Sequence, residues 1–378
     1  MSEQRLKVGI IGGSLRNRWA SSTHIPALLQ SRHHQITAVA TTKLTSAQEA
    51  AQEIGAVEAY DDYSKMLESD QVDMVIVSVK APYHKQIVLD TIQAQKHVYC
   101  EWPLAANLEE VHSIMEELRH SPIRHVIGLQ SRQSEEVQLV KQMIDNQEFG
   151  KILSVHMKVS TQAKGNWVDQ GSSYILDNKN GATLLSINGG HALDIVTFIF
   201  GQFTEVQASH HTHYTEARII ESDAKIEKNT ADQYLIQGKL NANIPIAVHL
   251  QGGAYPQFLL EIQGEHGVIR LGQNQSIGHP QYGRLHVSVA KYDSPQSIAT
   301  SQPDDFIVVK EDQEKSPFTN VFRAHQSFAK DILTGTAGTP DFYSASALHR
   351  LIDTIEISAR TGEKVRMTGG SELGINEA

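Results

Sequence analysis

The chain has 378 residues, which is enough for about two domains. Hydrophobic residues make up 40% of it and charged residues 20%, an ordinary balance for a globular protein that buries a full core. The net charge of −10 argues against a nucleic-acid backbone or an anionic membrane as a direct partner, because both are bound through a basic protein face.

The cysteine content and the N-terminal segment bear on location. Cys100 is the only cysteine, so no disulfide can form within the chain, which favours a reducing, cytoplasmic compartment. The opening segment "MSEQRLKVGIIGG" has no signal-peptide core and is predicted to form a strand. No apolar run reaches the roughly 18 residues that a membrane span needs. We therefore expect a cytoplasmic protein with no membrane partner.

The first third of the chain alternates short apolar runs with amphipathic segments. The predicted strands are 7–13, 35–42, 72–80, 97–101 and 124–130, and the predicted helices between them are 23–31, 45–55, 84–95 and 107–121. Thr45 is the predicted N-cap of the second helix and Gly55 its stop. Apolar strands that alternate with helices are typical of a parallel doubly wound sheet. We therefore predict an α/β Rossmann domain over residues 1–124.

The pattern changes after a helix predicted at 133–146. Short connections predict a largely antiparallel sheet, with strands at 151–161, 204–214, 231–241, 244–252, 257–264, 267–272 and 284–291. Helices are predicted at 183–201, 319–333 and 344–361, and a polar loop or insertion at 293–317. Residues 125–378 are thus predicted to form an α+β domain with a large, mostly antiparallel sheet.

The segment "GIIGGSLRNRW" lies between the first predicted strand and helix. Gly9, Gly12 and Gly13 allow a pyrophosphate to approach the backbone at this position. Ser14 and Asn17 stand where a strict dinucleotide motif has its second and third glycines. The segment is therefore compatible either with a nicotinamide dinucleotide site or with a tight strand-to-helix turn.

The end of the second predicted strand bears on the choice of cofactor. A site selective for NAD usually has an acidic residue here, which binds the 2′-hydroxyl of the ribose. This chain has Thr41, Thr42 and Lys43 instead. Hydroxyl groups and a cation suit a 2′-phosphate, so the sequence favours NADP slightly over NAD, although Lys43 is equally compatible with a solvated surface position.

Four longer segments carry a family resemblance: "HKQIVLDTIQAQKHVYCEWPLA" (84–105), "LQSRQSEEVQLVKQMIDNQEFGKI" (129–152), "NGGHALDIVTFIFG" (188–201) and "LEIQGEHGVIRL" (260–271). The chain resembles the Gfo/Idh/MocA oxidoreductase family (glucose-fructose oxidoreductase and inositol dehydrogenase). The resemblance implies a Rossmann domain followed by a domain with an open antiparallel sheet, through which many members form dimers or tetramers. Members oxidise or reduce sugars, polyols and related small hydroxy compounds with a nicotinamide cofactor.

Within the family, "VGIIGGSLRNRWASSTHIPALL" (8–29), "EWPLA" (101–105) and "ALHRLI" (347–352) resemble the branch of the yeast galactose-pathway repressor. That branch keeps the fold but acts as a cofactor-responsive regulator. The resemblance therefore implies two alternatives, an enzyme or a sensor that retains the cofactor site.

Site residues follow from the resemblance and from the two loops above. Cofactor contacts are expected from Gly12, Gly13, Ser14, Leu15, Thr41, Thr42, Lys43, Val79, His84, Glu101, Trp102, Pro103 and Gln130. Substrate contacts are expected from Trp102, Arg132, Tyr174, Asn188 and His191, and catalytic roles from His191, Glu101 and Trp102. The Trp102–Pro103 bond is a candidate cis peptide, because only bonds before proline adopt cis at low cost.

The chain departs from the family pattern at two positions. Trp102 replaces the usual catalytic lysine, and Ile187 replaces the aspartate four residues before the catalytic histidine. A neutral His191 can still accept a hydroxyl proton, although its sequence context also suits a capping or core histidine. Lys164, Lys80 and Tyr174 are the groups that could replace the lysine if the fold brings one close.

Trp102 is compatible with two roles. A tryptophan after a strand end offers a flat face to a ligand, or it packs between elements.

The segment "HHTHY" (210–214) would place His211 and His213 on one strand face, but no cysteine or carboxylate pair accompanies them, so we expect no metal site.

We therefore predict an NAD(P)-dependent oxidoreductase acting on a sugar or polyol, with His191 as acid–base group. The alternative is a cofactor-responsive regulatory protein with reduced catalysis. A homo-oligomer through the second-domain sheet is the family expectation.

Overall fold

The computed structural model describes residues 5–16, 18–273, 278–282, 285–292, 307–311 and 318–367. Asn17 and most of the predicted loop 293–317 lie outside these residues. The prediction of a loop is wrong for Ile307–Glu311, which forms a strand paired with Leu285–Lys291.

The chain forms two compact units. The first comprises Met1–Ser134, Lys179–Ala182 and Glu314–His349, and the second comprises Glu135–Asn178, Thr183–Gln313 and Arg350–Ala378. The division after Ser134 lies beyond the predicted boundary at residue 124, because the strand that follows this boundary pairs with the first unit's sheet.

The first unit is built on a parallel sheet. In its described part the strands are β1 (Leu6–Ile11), β2 (His34–Ala40), β3 (Glu58–Tyr60), β4 (Met74–Val77), β5 (His97–Glu101) and β6 (His125–Gly128), in the order β3-β2-β1-β4-β5-β6. Every neighbouring pair is parallel. This order is that of the doubly wound Rossmann fold, so the predicted fold of the N-terminal domain is confirmed.

Helices accompany these strands as the alternation predicts. They are α1 (Arg18–Ser22), α2 (His24–Gln30), α3 (Leu44–Ile54), α4 (Tyr63–Leu67), α5 (His84–Gln93) and α6 (Leu108–Leu118). Gly55 ends α3 with a left-handed φ of 74°, as predicted. The predicted N-cap Thr45 is wrong, because α3 already begins at Leu44. Val8, Ile10, Ile36 and Ile76 are buried in the core of this unit.

The second unit begins with α7 (Glu135–Asp145) and contains α8 (Gly190–Phe200). Its strands are β7 (Ile152–Thr161), β8 (Trp167–Val168), β9 (Phe203–His211), β10 (Glu216–Ile219), β11 (Lys225–Glu227), β12 (Gln233–Leu240), β13 (Pro245–Gly252), β14 (Gln257–Gly264), β15 (Gly267–Gln273), β16 (Leu285–Lys291) and β17 (Ile307–Glu311). The remaining α-helices and strand among the described residues are α9 (Phe318–Thr334), α10 (Phe342–Thr361) and β18 (Val365–Arg366).

A large mixed sheet dominates the second unit. Its order is β17-β16-β15-β14-β7-β13-β12-β9-β18, and within the described residues only the β7–β13 pair is parallel. The prediction of a mostly antiparallel open sheet is therefore confirmed. Strands β8, β10 and β11 form a separate small sheet that the sequence pattern did not predict. They have four residues or fewer, too short to display a period of two.

The mixed sheet has one buried and one exposed face. On β12, Tyr234 and Ile236 are buried while Leu235 and Gln237 point to the exposed face. This alternation is what a sheet covered on one side requires.

The helical segment before β9 is the most apolar of the described chain. Asn178–Phe200 is long and apolar enough to pass a membrane-span test, but 78% of its most apolar window is buried within the protein. The core helix of a globular domain passes the same test, so this helix is weak evidence for a membrane span.

Candidate functional site

The turn after β1 requires its glycines. Gly12 has a left-handed φ of 86°, and a Cβ there would collide with the carbonyl oxygen of Ser78 and lie 2.9 Å from Cγ1 of Val79. A Cβ at Gly13 would lie 2.9 Å from Cγ1 of Val39. The backbone is thus pressed against the ends of β2 and β4, where the strand order reverses. Ligands bind at this point of an open α/β sheet, so the turn fits a nucleotide phosphate.

The next residues of the turn are only partly enclosed. Ser14 is half-buried, and its hydroxyl accepts a hydrogen bond from the Arg16 amide at 3.3 Å. Leu15 is 40% exposed. Helix α1 has only five residues, so a strong helix dipole is not part of this turn. The turn would therefore bind a phosphate by letting it come close to the backbone, and not through the dipole of a long helix.

The loop after β2 places a cation and a hydroxyl in solvent. The Thr41 hydroxyl donates to the Lys43 carbonyl at 2.9 Å and lies 2.6 Å from the Ser46 hydroxyl, so it is engaged in the loop itself. Thr42 and Lys43 are exposed. They are the polar side chains that this loop leaves available to a ribose or its 2′-phosphate.

His84 fixes the loop after β5. Its ring is buried, with Nδ1 2.7 Å from the Pro103 carbonyl oxygen and Nε2 3.0 Å from the Val79 carbonyl oxygen. The Trp102–Pro103 bond is cis, as predicted. Burial lowers the pKa of His84, and the two carbonyls oppose that shift. His84 therefore holds two loops of the first unit together.

Glu101, the last residue of β5, lies at the centre of a buried polar network. Its Oε1 accepts from Nε2 of Gln130 at 2.8 Å and lies 2.8 Å from Nε2 of His24. Nδ1 of His24 lies 2.9 Å from Nε2 of His325 in α9, and the amide of Gln130 also donates to the Tyr99 hydroxyl at 3.1 Å. The carboxylate thus connects α2, β5, α9 and the segment after β6.

One tautomer assignment satisfies these contacts. His325 Nε2–H donates to His24, and His24 Nε2–H donates to Glu101. Nδ1 of His325 is then a buried nitrogen without a partner among the described residues. Burial, followed by His24 and His34, lowers the pKa of His325 well below its ordinary value, which keeps this ring neutral.

Trp102 lies against another histidine of the first unit. It is 5% exposed, and its ring centroid lies 4.6 Å from that of His349 in α10. Burial lowers the pKa of His349 to about 3, so the indole packs on a neutral imidazole. This contact supports the packing alternative for Trp102, while its predicted contact with a ligand stays a prediction.

His191 is the second residue of α8, directly after an irregular turn. Leu184–Gly189 forms a turn of π-helix, a feature frequent at functional sites. Thr183 caps it, since its hydroxyl accepts from the Ser186 amide at 3.1 Å. Asn188 is buried in this turn and Ile187 is half-buried.

One ring nitrogen of the His191 imidazole lacks a hydrogen-bond partner among the described residues. The residue is 3% exposed, and its Nδ1 is buried without a hydrogen bond among the described residues. The ring of His279 lies 4.9 Å away, and burial together with His279 lowers the pKa of His191 well below its ordinary value. His191 is therefore a neutral, buried imidazole whose Nδ1 carries a lone pair or an N–H that no described residue pairs with.

The other predicted groups are distributed over both units. Arg132 and Gln130 lie in the first unit, in a short 3-10 turn after β6, rather than opening the second. Tyr174 is half-buried in the second unit, where burial and Asp169 raise its pKa. Lys80 is exposed. Lys164 is buried in the second unit, close enough to His279 to lower the pKa of that histidine.

Metal binding finds no support in the described part of the chain. His211 and His213 do stack, with ring centroids 6.4 Å apart. No group of three or more His, Cys, Asp or Glu with metal-holding geometry occurs among the residues that were described.

The sequence reasoning missed three buried histidines, His24, His279 and His325. His279 follows a glycine with a φ of 70° and precedes a proline, so "GHP" marked a sharp turn. His24 and His325 gave no such signal, because their pairing joins residues 301 positions apart.

Comparison with known proteins gives separate matches for the two parts of the chain. Residues 6–129 match the oxidoreductase family with an NAD-binding Rossmann fold, GFO_IDH_MocA. Residues 136–273 match the C-terminal domain of Gal80p.

Individual relatives include both an enzyme and a regulator. Dehydrogenase aclE of Aspergillus oryzae is 26% identical over 65% of this chain and 70% of its own length. The galactose/lactose metabolism regulatory protein GAL80 of Saccharomyces cerevisiae is 25% identical over 70% of this chain and 66% of its own, slightly under two thirds. A super-repressor mutant of Gal80p from that yeast superposes with a TM-score of 0.85 at 22% identity, over 96% of this chain and 98% of its own.

A solved enzyme has the same fold. Levoglucosan dehydrogenase in complex with NADH and L-sorbose superposes with a TM-score of 0.81 at 20% identity, over 96% of this chain and 98% of its own.

The glycine turn can be tested directly. We expect Gly12→Ala to weaken NADH and NADPH binding by more than about tenfold, since the added methyl group displaces the Ser78 carbonyl and strains a positive φ. Fluorescence titration of the reduced cofactors measures this.

Gly55→Ala is the matched control, because it also imposes a positive φ but meets nothing within 4 Å. We expect it to cost about 1 kcal/mol of stability without changing affinity. Equal cofactor affinity in the two variants would contradict the assignment of the turn.

Proposed function

We propose that this chain, which belongs to the Gfo/Idh/MocA oxidoreductase family near its Gal80 branch, is an NAD(P)-dependent oxidoreductase acting on a sugar, polyol or similar small hydroxy compound. His191 is the acid–base group in this proposal. The supporting relatives are a dehydrogenase that is similar in sequence and levoglucosan dehydrogenase, which is similar in fold.

The unpaired His191 imidazole is the observation that carries the proposal. A buried nitrogen without a partner costs roughly 1–3 kcal/mol, so such groups are usually paired unless they serve a ligand. The family resemblance implies that His191 corresponds to the catalytic histidine, and its Nδ1 is buried and unpaired within the described residues.

The residues of each unit have separate tasks. The turn at Gly12 and Gly13 and the loop fixed by His84 would hold the dinucleotide, whose nicotinamide ring accepts a hydride when bound. His191 would accept a hydrogen bond from the substrate hydroxyl and take its proton as the carbonyl forms. The lowered pKa keeps His191 unprotonated, and therefore able to accept, across the physiological range.

We expect His191→Ala to lower the rate of sugar-dependent reduction of NADP or NAD by about a hundredfold or more, because a positioned acid–base group contributes about 10²–10⁴. The measurement is absorbance of the reduced nicotinamide against a panel of sugars, polyols and sugar acids. His211→Ala, on an exposed strand end, is the control and should keep the wild-type rate. Equal rates in wild type and His191→Ala would remove the assigned role.

A cofactor-responsive regulator is the second candidate. Two observations favour it: the match of residues 136–273 to the Gal80p C-terminal domain, and the packing of Trp102 on His349 where the family has its lysine. In that case the wild type binds the cofactor without turnover across the panel, and cofactor changes its affinity for a protein partner.

We further propose that NADP is preferred over NAD. Thr42 and Lys43 are exposed after β2, and no carboxylate occupies this loop to bind a ribose 2′-hydroxyl. A lysine ammonium suits a phosphate dianion, whereas a free 2′-hydroxyl gains little from it.

Lys43→Ala tests this preference. We expect NADPH affinity to fall about tenfold and NADH affinity to stay unchanged, because one charge-assisted contact is worth about 1.4 kcal/mol or more. Lys65→Ala, another exposed lysine of the first unit, is the control. Tighter binding of NADH than of NADPH by the wild type would contradict the preference.

We also propose that the exposed face of the mixed sheet forms a homodimer. Leu235 is 49% exposed there, beside Ala247 and Leu259, and together with neighbouring polar residues they line a shallow groove of about 630 Å³. Exposed apolar groups on a broad sheet face are typical of a protein interface.

Leu235→Asp should convert a dimer into a monomer, since it places a charge in the apolar part of the face. Light scattering after size exclusion measures the change. Leu29→Asp, at an equally exposed leucine of α2, should leave the dimer intact. A wild type that is monomeric would contradict the proposed interface.

A further inference from the structure

The carboxylate of Glu101 has no lysine or arginine partner among the described residues. Its Oε1 accepts a hydrogen bond from Nε2 of Gln130 at 2.8 Å and lies 2.8 Å from Nε2 of His24, which is its ion-pair partner in the described part of the chain. Two N–H donors on one oxygen favour the ionised form of a carboxyl group. Glu101 is therefore a buried anion that hydrogen bonds hold in place without a cationic side chain beside it.

The two oxygens of this carboxylate have different surroundings. Both hydrogen bonds are on Oε1, and Oε2 accepts none from the described residues. The Glu101 side chain is 11% exposed, whereas that of His24 is fully enclosed. Glu101 is also the last residue of β5, at the edge of the sheet where ligands bind. The carboxylate is thus the part of the network that a bound ligand can approach.

The strand order assigns this edge to the nicotinamide half of a dinucleotide. In a doubly wound sheet the adenosine ribose binds near the end of β2, and the dinucleotide crosses the sheet where the strand order reverses. That reversal lies between β1 and β4, next to the turn at Gly12. Strand β5 lies beyond β4, on the side away from β2. The nicotinamide half would therefore bind on the side of the sheet that ends in Glu101.

The imidazoles and the phenol around this carboxylate are neutral. Burial is the main cause that lowers the pKa of His325 well below its ordinary value and that of His34 to about 4. Burial also raises the pKa of Tyr99 well above its ordinary value. His24 is neutral as well, since its Nδ1 accepts from Nε2–H of His325.

Two further titratable groups respond to the charge of Glu101. Burial, followed by Glu101, raises the pKa of the Cys100 thiol well above its ordinary value. Burial lowers the pKa of His84, and Glu101 opposes that shift only weakly. Both groups are therefore neutral at neutral pH, and the network carries one net negative charge.

Trp102 leaves this charge uncompensated in the loop after β5. The family resemblance implies a lysine at this position, which would add one positive charge directly after Glu101. The indole carries no charge, and it packs on the neutral ring of His349. In this chain the end of β5 is consequently more negative than the family pattern implies.

The nicotinamide ring has a different charge in its two redox forms. The ring of NAD(P)⁺ carries one positive charge, and the uptake of a hydride makes it neutral. Opposite charges attract each other more strongly in a partly enclosed site than in bulk water. A fixed negative charge beside the ring therefore favours the oxidised form over the reduced form.

We propose that the Glu101 carboxylate, held in place by His24, gives this chain a preference for the oxidised form of its nicotinamide cofactor. The charge at the end of β5 stabilises the positive ring, and this stabilisation is absent once the ring is reduced. His24 is a positioning residue, because it contacts Glu101 and is itself enclosed. The preference concerns binding, so it goes beyond the proposed function and holds with or without turnover of a sugar.

Glu101→Gln removes the charge and keeps an oxygen that accepts from Gln130 and His24. We expect NADP⁺ affinity to fall about tenfold or more and NADPH affinity to stay unchanged, because only the oxidised ring loses an attraction. Isothermal titration calorimetry of the full-length protein with each form measures this, and NAD⁺ and NADH should give the same contrast. Glu109→Gln, at an exposed carboxylate of α6, is the control and should keep both wild-type affinities.

Two substitutions of His24 test the positioning role. Gln keeps an N–H donor for Glu101, whereas Leu has none. A buried carboxylate that loses a donor is less stable in its ionised form. We therefore expect His24→Leu to lower the ratio of NADP⁺ to NADPH affinity by about tenfold, and His24→Gln to keep the wild-type ratio. A merely structural histidine would change both affinities by the same factor.

The ratio of the two affinities decides the outcome. If Glu101→Gln changed NADP⁺ and NADPH affinity by the same factor, or changed neither, the inference would be overturned and the proposed function would stand on its own test. A wild type without turnover whose ratio falls in Glu101→Gln would support the inference and refute the proposed function. Circular dichroism shows whether each variant is folded, and the two His24 variants decide alone if Glu101→Gln is not.

Discussion

The carboxylate of Glu101 is the polar centre on which the first unit depends. It ends β5 at the edge where a doubly wound sheet binds ligands, and it is held there by His24 from α2 and Gln130 from the segment after β6. A buried carboxylate is costly unless hydrogen bonds compensate it, so α2 and α9 must pack with their histidines in register. The same hydrogen bonds therefore hold the Glu101 carboxylate at the end of β5 and fix the packing of α2 and α9.

Most of the fold was predictable because its elements are long enough to display a period. All strands of the Rossmann sheet except β3, and the long strands of the mixed sheet, were predicted and confirmed, as were the family resemblance and the Gly55 stop of α3. The failures have physical reasons. Strands β3, β8, β10, β11 and β18 are too short to show alternation. Thr45 matched a capping preference, but α3 starts one residue earlier and has no side-chain cap.

The candidate site was predictable only where a local motif marks it. Two short motifs, "GG" after β1 and "NGGH" before α8, marked their positions in the sequence. At the first, the structure has a turn in which Gly12 has no space for a Cβ. At the second, it has a buried His191 whose Nδ1 makes no hydrogen bond among the described residues. The loops that carry Lys164 and His279 pack on the ends of β13 and β7, and no spacing in the sequence encodes that proximity. Sequence alone offered Lys164, Lys80 and Tyr174 as equals. Of these, Lys164 is the buried one, and its charge lowers the pKa of His279.

Trp102, where the family resemblance implies a lysine, does not by itself decide between enzyme and sensor. In the first unit the indole is buried on a neutral His349, so the substitution removes a charge from the loop and adds apolar packing in its place. A sensor that has lost selection for turnover would be free to pair or replace its remaining acid–base groups, because unpaired buried nitrogens and buried lysines are destabilising. The second unit instead retains an unpaired His191 and a lysine forced into a left-handed turn by three glycines. Both features are costly in the second unit, and the acid–base role proposed for His191 would account for the first of them.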